Sequence, residues 1–504
     1  MYGWDGPYNY LAMYLTMQPT RYEPVIGLET HVQLLTRSKM FCSCSAAYAG
    51  AEPNTHVCPV CLALPGSLPV INRQAVEYAI MAGLALRCHN PEASKFDRKN
   101  YPYPDLLKGY QISQYDLPFS VNGWLTVDTE GESRRIGITR AHLEEDTAKL
   151  LHRRDNGSAY SLLDVNRSGV PLLEIVSEPD IRSPAEARAY VQKMRLIVQT
   201  LGVSTGNMED GAMRCDVNVS LRPTGSEPLG VKVEVKNLNS ARSVQRALEY
   251  EIERQTRLLE RGERIVQETR GWDDDRGTTV AQRSKEEAHD YRYFPEPDLP
   301  PVFVSSEWVA ELRARLPELP DARGERYMRD LGLSRYDAEQ ITSTLATSTY
   351  FEQTLALYPK AKVVANWIQG ELFRIARDRG VDLDGTGATP AHLTELLTLL
   401  DEGSISQAIA KQVLEETAAS GASPRAIVAE RSLAQISDTA ELERAVADAI
   451  AANAQAVADY RNGKPQAMGF LTGQVMKTTR GKANPAVVNE LLKRQLDEAR
   501  GKRQ

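Results

Sequence analysis

The segment Val25-Ile-Gly-Leu-Glu-Thr-His-Val-Gln-Leu34 sets a carboxylate and an imidazole two residues apart in an apolar, partly β-branched run. A strand has a side-chain period of two, so Glu29 and His31 would share one face. Fixed side by side, the two can hold a cation or move a proton. A half-exposed strand with a solvated ion pair would have the same sequence. Ile138-Thr-Arg-Ala-His-Leu-Glu-Glu-Asp146 alternates in the same way: as a strand it puts Arg140, His142, Glu144 and Asp146 on one face, whereas a helix would break that grouping. Glu174 stands inside the apolar run Val170-Pro-Leu-Leu-Glu-Ile-Val176. Desolvating an ionised carboxylate is costly, so Glu174 must be protonated, bound to a metal, or paired with a cation such as Arg167.

Four further residues have the spacing of metal ligands. Cys42-Ser-Cys44 and Cys58-Pro-Val-Cys61 supply two close thiol pairs, the ligand count of a closed tetrahedral zinc site. Four thiolates leave no open position, so such a zinc would be structural; unligated or redox thiols are the alternative. Cys88 and Cys215 read as ordinary buried residues.

Polar groups also collect on two strand-like segments, Arg214-Cys-Asp-Val-Asn-Val-Ser-Leu221 and Val231-Lys-Val-Glu-Val-Lys236, which read as an antiparallel hairpin. Arg214, Asp216, Asn218, Lys232, Glu234 and Lys236 fall on one face, either solvated or lining a cleft for phosphates and cations. Lys95, Arg98, Lys99 and Tyr101 mix cations with an aromatic ring, which suits a nucleotide or a nucleic-acid end, although a charged surface loop with packed tyrosines is the simpler reading of the same residues.

These residues need elements to position them, and a chain of 504 residues has room for about three domains. Hydrophobic content of 42% and charged content of 25% are those of a globular protein, and no apolar run is long enough to span a membrane. Residues 1–23 read as an uninformative extension without the pattern of a secretory signal, and Met17 is an alternative start. Few cysteines point to a reducing, cytoplasmic setting. Residues 24–312 show period-2 alternation and read as a sheet-rich domain, with the proline-rich stretches Phe294–Pro301 and Leu316–Pro320 as extended connectors at its edge. Residues 313–432 switch to helical patterning, with Val363, Val364, Trp367, Ile368 and Leu372 on one face and breaks near 380–390 and 420–424. Residues 433–504 form a last helical segment. From Tyr460 onward ten Lys/Arg stand against three Asp/Glu, a net +7 that leaves −14 for the first 459 residues. A basic end on an acidic body suits a polyanionic partner, or is simply a solvated terminus. The fold class expected is α+β. There is no P-loop, no Gly-x-Gly-x-x-Gly turn and no Gly-x-Ser-x-Gly elbow.

Several longer stretches together carry a resemblance. Val-Ile-Gly-Leu-Glu-Thr-His, Ser-Lys-Phe-Asp-Arg-Lys-Asn-Tyr, Tyr-Gln-Ile-Ser-Gln-Tyr-Asp, Leu-Glu-Ile-Val-Ser-Glu-Pro-Asp, Lys236-Asn-Leu-Asn-Ser240, Asp290-Tyr-Arg-Tyr-Phe-Pro-Glu-Pro-Asp298 and Ala467-Met-Gly-Phe-Leu-Thr-Gly-Gln-Val-Met476 with Lys482-Ala-Asn-Pro485 resemble the B subunits of bacterial aspartyl/glutamyl-tRNA(Asn/Gln) amidotransferases over residues 24–500. The resemblance implies a cradle, a helical domain and a tail, with ATP phosphorylating the side-chain carboxylate of Glu-tRNA(Gln) or Asp-tRNA(Asn) before ammonia displaces the phosphate. It implies Mg²⁺ on Glu29, His31, Glu144 and Glu174 with Asp216 and Lys236 nearby, and structural zinc on the four cysteines. ATP and the tRNA 3′ end would meet Lys95, Arg98, Lys99, Tyr101 and Arg214, and the tRNA elbow would meet Lys464, Lys477, Arg480 and Lys482. A glutaminase A subunit and a small C subunit would complete a heterotrimer, and the cognate non-discriminating aminoacyl-tRNA synthetase is a further partner the resemblance suggests. A competing reading is a zinc-stabilised tRNA-binding module whose carboxylates are structural.

Overall fold

The protein is described here by a computed structural model that covers residues 22–129, 131–155, 158–284, 290–433, 439–464, 466–479 and 482–501. Two compact units result, Met1–Pro320 and Asp321–Gln504. Of the extension at 1–23, only Tyr22 and Glu23 are among the described residues, and both already belong to the first strand.

The strands of the first unit are β1 (Tyr22–Gln33), β2 (Ala93–Ser94), β3 (Asp97–Asn100), β4 (Tyr110–Ser113), β5 (Ser120–Thr129), β6 (Glu132–Glu145), β7 (Lys149–Asp155), β8 (Ser158–Asp164), β9 (Pro171–Ser177), β10 (Met213–Pro223), β11 (Val233–Leu238), β12 (Glu268–Asp273), β13 (Thr278–Ser284), β14 (Phe294–Pro295) and β15 (Val302–Phe303). Its helices are α1 (Arg73–Ala85), α2 (Pro184–Thr200), α3 (Ala241–Glu260) and α4 (Ser306–Ala314). Eight strands form one sheet in the order β13-β12-β11-β10-β1-β9-β6-β5, antiparallel except between β11 and β12. Alternation explains why. In β1 the side chains of Ile26, Leu28 and Val32 enter the core, as do Val217 and Val219 of β10 and Leu173 and Ile175 of β9. Residues of α1, α2 and α3 complete that core, so the intervening polar side chains are left on the other face of the sheet. Residues 138–145 are strand, because β6 is paired on both sides, by β5 and by β9. The expected hairpin is β10–β11, but Lys232 lies before β11 and is exposed, off the polar face.

The proline-rich stretch is no connector. Phe294–Pro295 pairs with β3, and the Glu296 amide donates to the Phe96 carbonyl. Proline is tolerated there because β14 is an edge strand that needs few donors. The division at 312 also moves: α4 runs across that position and Leu312 is fully buried in the first core, so the break falls at Pro320.

The second unit holds two separate cores. Helices between Pro320–Leu331 and Pro424–Glu430 surround Tyr327, Phe351, Ile368, Leu393 and Val413. Those between Thr439–Ala452 and Pro485–Gly501 surround Leu442, Val446, Leu471, Val475 and Leu492. Val364, Trp367, Ile368 and Leu372 are buried as their spacing implies, with a π-helical turn at Ile368–Leu372. The helix breaks fall at Gly380 and Gly421, each a left-handed C-cap.

One cap gives a pH-dependent prediction. Asp337 accepts from the Ser334 amide and hydroxyl, Lys362 Nζ and Gln369 Nε2 at 2.5–3.2 Å. Burial works against its charge, but Lys362, Ser334 and Gln369 hold its pKa at about 2. A depressed carboxylate stabilises above its unfolded pKa and loses that contribution as pH falls through the folded one. Asp337→Ala should therefore cost ~1–2 kcal/mol at pH 7 in chemical denaturation, and the gap from wild type should close between about pH 4 and 2. A gap independent of pH would refute this account.

Candidate active site

The sheet register assembles the site. β1 lies between β9 and β10, which sets His31 opposite Glu174 on one side and Arg214 on the other, while Glu29 faces Asp216. β9 also pairs with β6, so His142 lies opposite Glu174. His31 Nε2 is 3.3 Å from Glu174 Oε2 and 3.8 Å from Glu144 Oε1, and His142 Nε2 is 3.6 Å from the same Glu174 oxygen. One ligand atom each from His31, Glu144 and Glu174 lies within 4.8 Å of the other two.

Two buried carboxylates this close strain each other's protonation. Burial and the neighbouring Glu174 push the Glu144 pKa up to about 7. Burial opposes ionisation of Glu174 as well, but His142 and His31 hold it well below the usual carboxylate range. Burial disfavours a charged His31, yet Glu174 and Glu144 lift its pKa to about 9. His142, where burial dominates, falls to about 4 and is neutral. Glu144 Oε2 and His142 Nδ1 are buried without a hydrogen-bond partner. Inside a protein such an orphaned oxygen is costly unless a ligand satisfies it. A histidine nitrogen, two carboxylates and an unmet acceptor are a donor set that fits a hard divalent cation.

Beside the sheet, the sulfurs of Cys42, Cys44, Cys58 and Cys61 also lie within 4.8 Å of one another. The Cys58 amide donates to Cys61 Sγ at 3.1 Å, an N–H···S contact that supports a thiolate. The Cys42 thiol, the Cys58 amide and Lys39 draw the Cys61 pKa down to about 4. Four converging sulfurs fit a closed zinc site.

Residues 24–310 match the family model described as the GatB/GatE catalytic domain, and residues 349–496 match a second one, described as a GatB domain. The chain belongs to the GatB/GatE family. It is 58% identical to the B subunit of the aspartyl/glutamyl-tRNA(Asn/Gln) amidotransferase of Moorella thermoacetica, over 94% of this chain and 100% of that one. The proteins of the same name from Thermomicrobium roseum and Carboxydothermus hydrogenoformans are 56% and 55% identical, over 95% and 94% of this chain and 99% of theirs.

Within the GatB/GatE catalytic domain the other expected residues are spread unevenly. Glu29 stands outside the ligand group. It is two positions along β1 from His31, opposite Asp216, and its Oε1 accepts from Asn218 Nδ2 at 3.0 Å. Asp216 accepts from Lys236 at 2.6 Å, and Lys236 also reaches Glu234 at 3.1 Å, so the two form a neighbouring ion cluster. Glu174 is not paired with Arg167, which lies 3.8 Å from Asp146 and donates to the Thr147 and Ala148 carbonyls. Arg214 also holds Asp146, at 3.1 Å.

Among the cations of β3 and its approach, Lys99 is the one whose charge the site carboxylates Glu144 and Glu174 support. Burial opposes its charge, but Glu144, Tyr293 and Glu174 hold it above the ordinary lysine range, and its Nζ lies 5.1 Å from the Tyr291 ring and 5.9 Å from Tyr101. Arg98, one residue away and therefore on the other face, is gripped by both Glu296 oxygens at 2.7 Å and stacks on Tyr110. Lys95 is held by Asp97 and Asp116. Both are committed to internal pairs. Tyr293 stacks on Tyr115 at 4.4 Å and belongs to the same wall. The alternation of β6 sets His142 on the polar face with Glu144 but assigns it no part in the ligand set; Tyr291 and Tyr293, nearly 200 residues from Lys99 in sequence, had no local signal.

In the GatB domain, Lys464 pairs with Asp459 at 3.0 Å and Lys477 is exposed in the last turn of Gln466–Thr478. Lys482 is half-buried, and Arg480 lies outside the described residues.

Proposed function

We propose that this chain is the B-type subunit of a tRNA-dependent amidotransferase, which activates the side-chain carboxylate of Glu-tRNA(Gln), Asp-tRNA(Asn) or both with ATP and converts it to the amide. The observation that carries this reading is the convergence of His31, Glu144 and Glu174, whose ligand atoms lie within 4.8 Å of one another. A carboxylate is a poor acyl donor, and an acyl phosphate supplies the missing leaving group. His31, Glu144 and Glu174 would hold Mg²⁺, which when bound offsets the charge that ATP and a substrate carboxylate bring together. Glu29, occupied by Asn218, is a neighbour of that set.

The chain's own groups then have definite tasks. Lys99, flanked by Tyr101 and Tyr291, presents a fixed ammonium to an incoming phosphoryl or carboxylate oxygen. His31 gives up its proton when Nε2 is needed as a ligand. Neutral His142 supports Glu174 from behind without adding positive charge. Arg214, anchored by Asp146, lines the side toward β10. The four cysteines would hold a structural zinc and take no part in the chemistry. Ammonia would come from a glutaminase A subunit, with a small C subunit completing the heterotrimer, and would have to travel uncharged through a sealed passage. Residues 433–504 would form the tail that docks on the tRNA elbow through phosphates and shape.

The test is reconstitution with a glutaminase subunit and a C subunit. Phosphate release from ATP should require Glu-tRNA(Gln) or Asp-tRNA(Asn), and the amide should form from either glutamine or ammonium. Charged tRNA that binds without ATP turnover would favour the zinc-stabilised binding module. For the tail, replacing Lys477 and Lys482 with alanine should weaken tRNA binding and flatten its salt dependence by a slope of ~1–2. Glutaminase turnover should not change. An unaltered slope removes these two residues from the interface.

A further inference from the structure

Among the described residues of the first unit Lys39 is the fully buried lysine, and no residue of the carboxylate site uses it. Its Nζ donates to the His56 carbonyl at 2.8 Å and to the Val165 carbonyl at 3.3 Å. Among the described residues no carboxylate forms an ion pair with it. Two neutral carbonyls satisfy hydrogen bonds but not charge, and a buried ammonium without a counter-charge is costly.

The four-cysteine loop is next to it. The Lys39 amide donates to the Cys44 carbonyl at 2.9 Å, and His56 is two residues before Cys58. Gly169 packs between the two groups: a Cβ there would lie 3.5 Å from Lys39 Cδ and 3.9 Å from Cys61 Cβ. Four thiolates on a divalent ion carry a net charge of −2, which one buried ammonium partly offsets.

The same lysine reaches a second element. The segment between the cysteine pairs grips the base of the ribbon β7–β8: Asn54 bonds Leu163, Asp164 and Val165, and Asn166 bonds the Glu52 carbonyl and the His56 amide at 2.8 Å each. The ribbon is otherwise exposed on both faces, and Lys149, Arg153 and Arg154 project from it. Its aim is therefore set at its base, where Lys39 bridges His56 and Val165.

We propose that Lys39 is the buried counter-cation of the four-cysteine site and couples occupancy of that site to the order of the β7–β8 ribbon. This rests on the reading of the four cysteines as a zinc site. It makes Lys39 a positioning residue, with no contact to substrate.

The experiment uses the full chain. Wild type, Lys39→Met and Lys39→Gln are compared for zinc content, for the rate of zinc loss to a chromophoric chelator, and for amide exchange over 149–166. Methionine keeps the stem; glutamine also keeps a donor for the carbonyls. Both variants should release zinc at least about tenfold faster than wild type and should show faster exchange at 163–166. In a Cys58→Ser/Cys61→Ser background, either substitution should add nothing to the exchange at 163–166. A wild-type chain free of zinc would sink the zinc reading itself. Zinc-bound wild type with release unchanged in Lys39→Gln would leave zinc standing and overturn the role of charge. An equal exchange penalty with and without the cysteines would overturn the coupling.

Discussion

Glu174→Ala should lower tRNA-dependent ATP hydrolysis by about 10³-fold or more in the reconstituted complex, with glutamine hydrolysis much less affected. Glu174 is the hub of the cluster: both His31 and His142 approach the same oxygen, at 3.3 and 3.6 Å. Its removal leaves Glu144 as the one carboxylate of the ligand group. That is too little negative charge to hold a divalent ion against its hydration. Glu29→Ala should cost much less, about tenfold or below, because Glu29 lies outside the ligand group. Equal losses in the two variants would overturn the three-residue assignment.

Removing the Glu174 charge also has a signature that does not depend on turnover. Burial alone lowers the His31 pKa, and Glu174 is what lifts it to about 9. In Glu174→Gln that pKa should fall from about 9 toward the ordinary histidine range, read by NMR on the ion-free chain. The sign for stability follows. In the ion-free protein the His31–Glu174 pair contributes fully below pH 6.5 and fades as pH rises through about 9. A His31 titration unchanged by Glu174→Gln would mean the pair does not form.

The second large effect concerns the cysteines. Cys61→Ser should take zinc from about one per chain to none, measured by elemental analysis. Structural zinc contributes roughly 10–16 kcal/mol of folding energy where it organises a small domain alone. Here the loop is also pinned to its surroundings, since the Asn72 side chain and amide bond Ser38, Lys39 and Met40. The expected result is therefore local: fast amide exchange over 42–72 with the eight-stranded sheet still protected. Full zinc content in the variant would show that the four sulfurs are not one site.

Much of this was legible from residues alone. Period-2 alternation is a local property, so it set Glu29 and His31 on one strand face, and Glu144 on another if that segment is a strand, while Glu174 stood out only as a carboxylate inside an apolar run. Cysteine spacing and the basic end are likewise written in the chain. The helix stops at 380 and 420 followed from glycine and proline, which act on their own backbone.

Ligand membership was not local. Glu29 and His31 have the same face and the same strand, and only the register of β9 against β1 decides that His31, not Glu29, lies opposite Glu174. The pairing of Glu174 with two histidines and not with Arg167 depends on which strand lies next to β9. The division between Lys99 and Arg98 is set just past β14, where Glu296 claims Arg98 from 198 positions away. Residue types and spacing determined the inventory of groups and the sheet face each would occupy. Which of them meet was decided by strand order and register, because pairing between distant segments depends on the packing of the whole sheet and not on any stretch of sequence by itself.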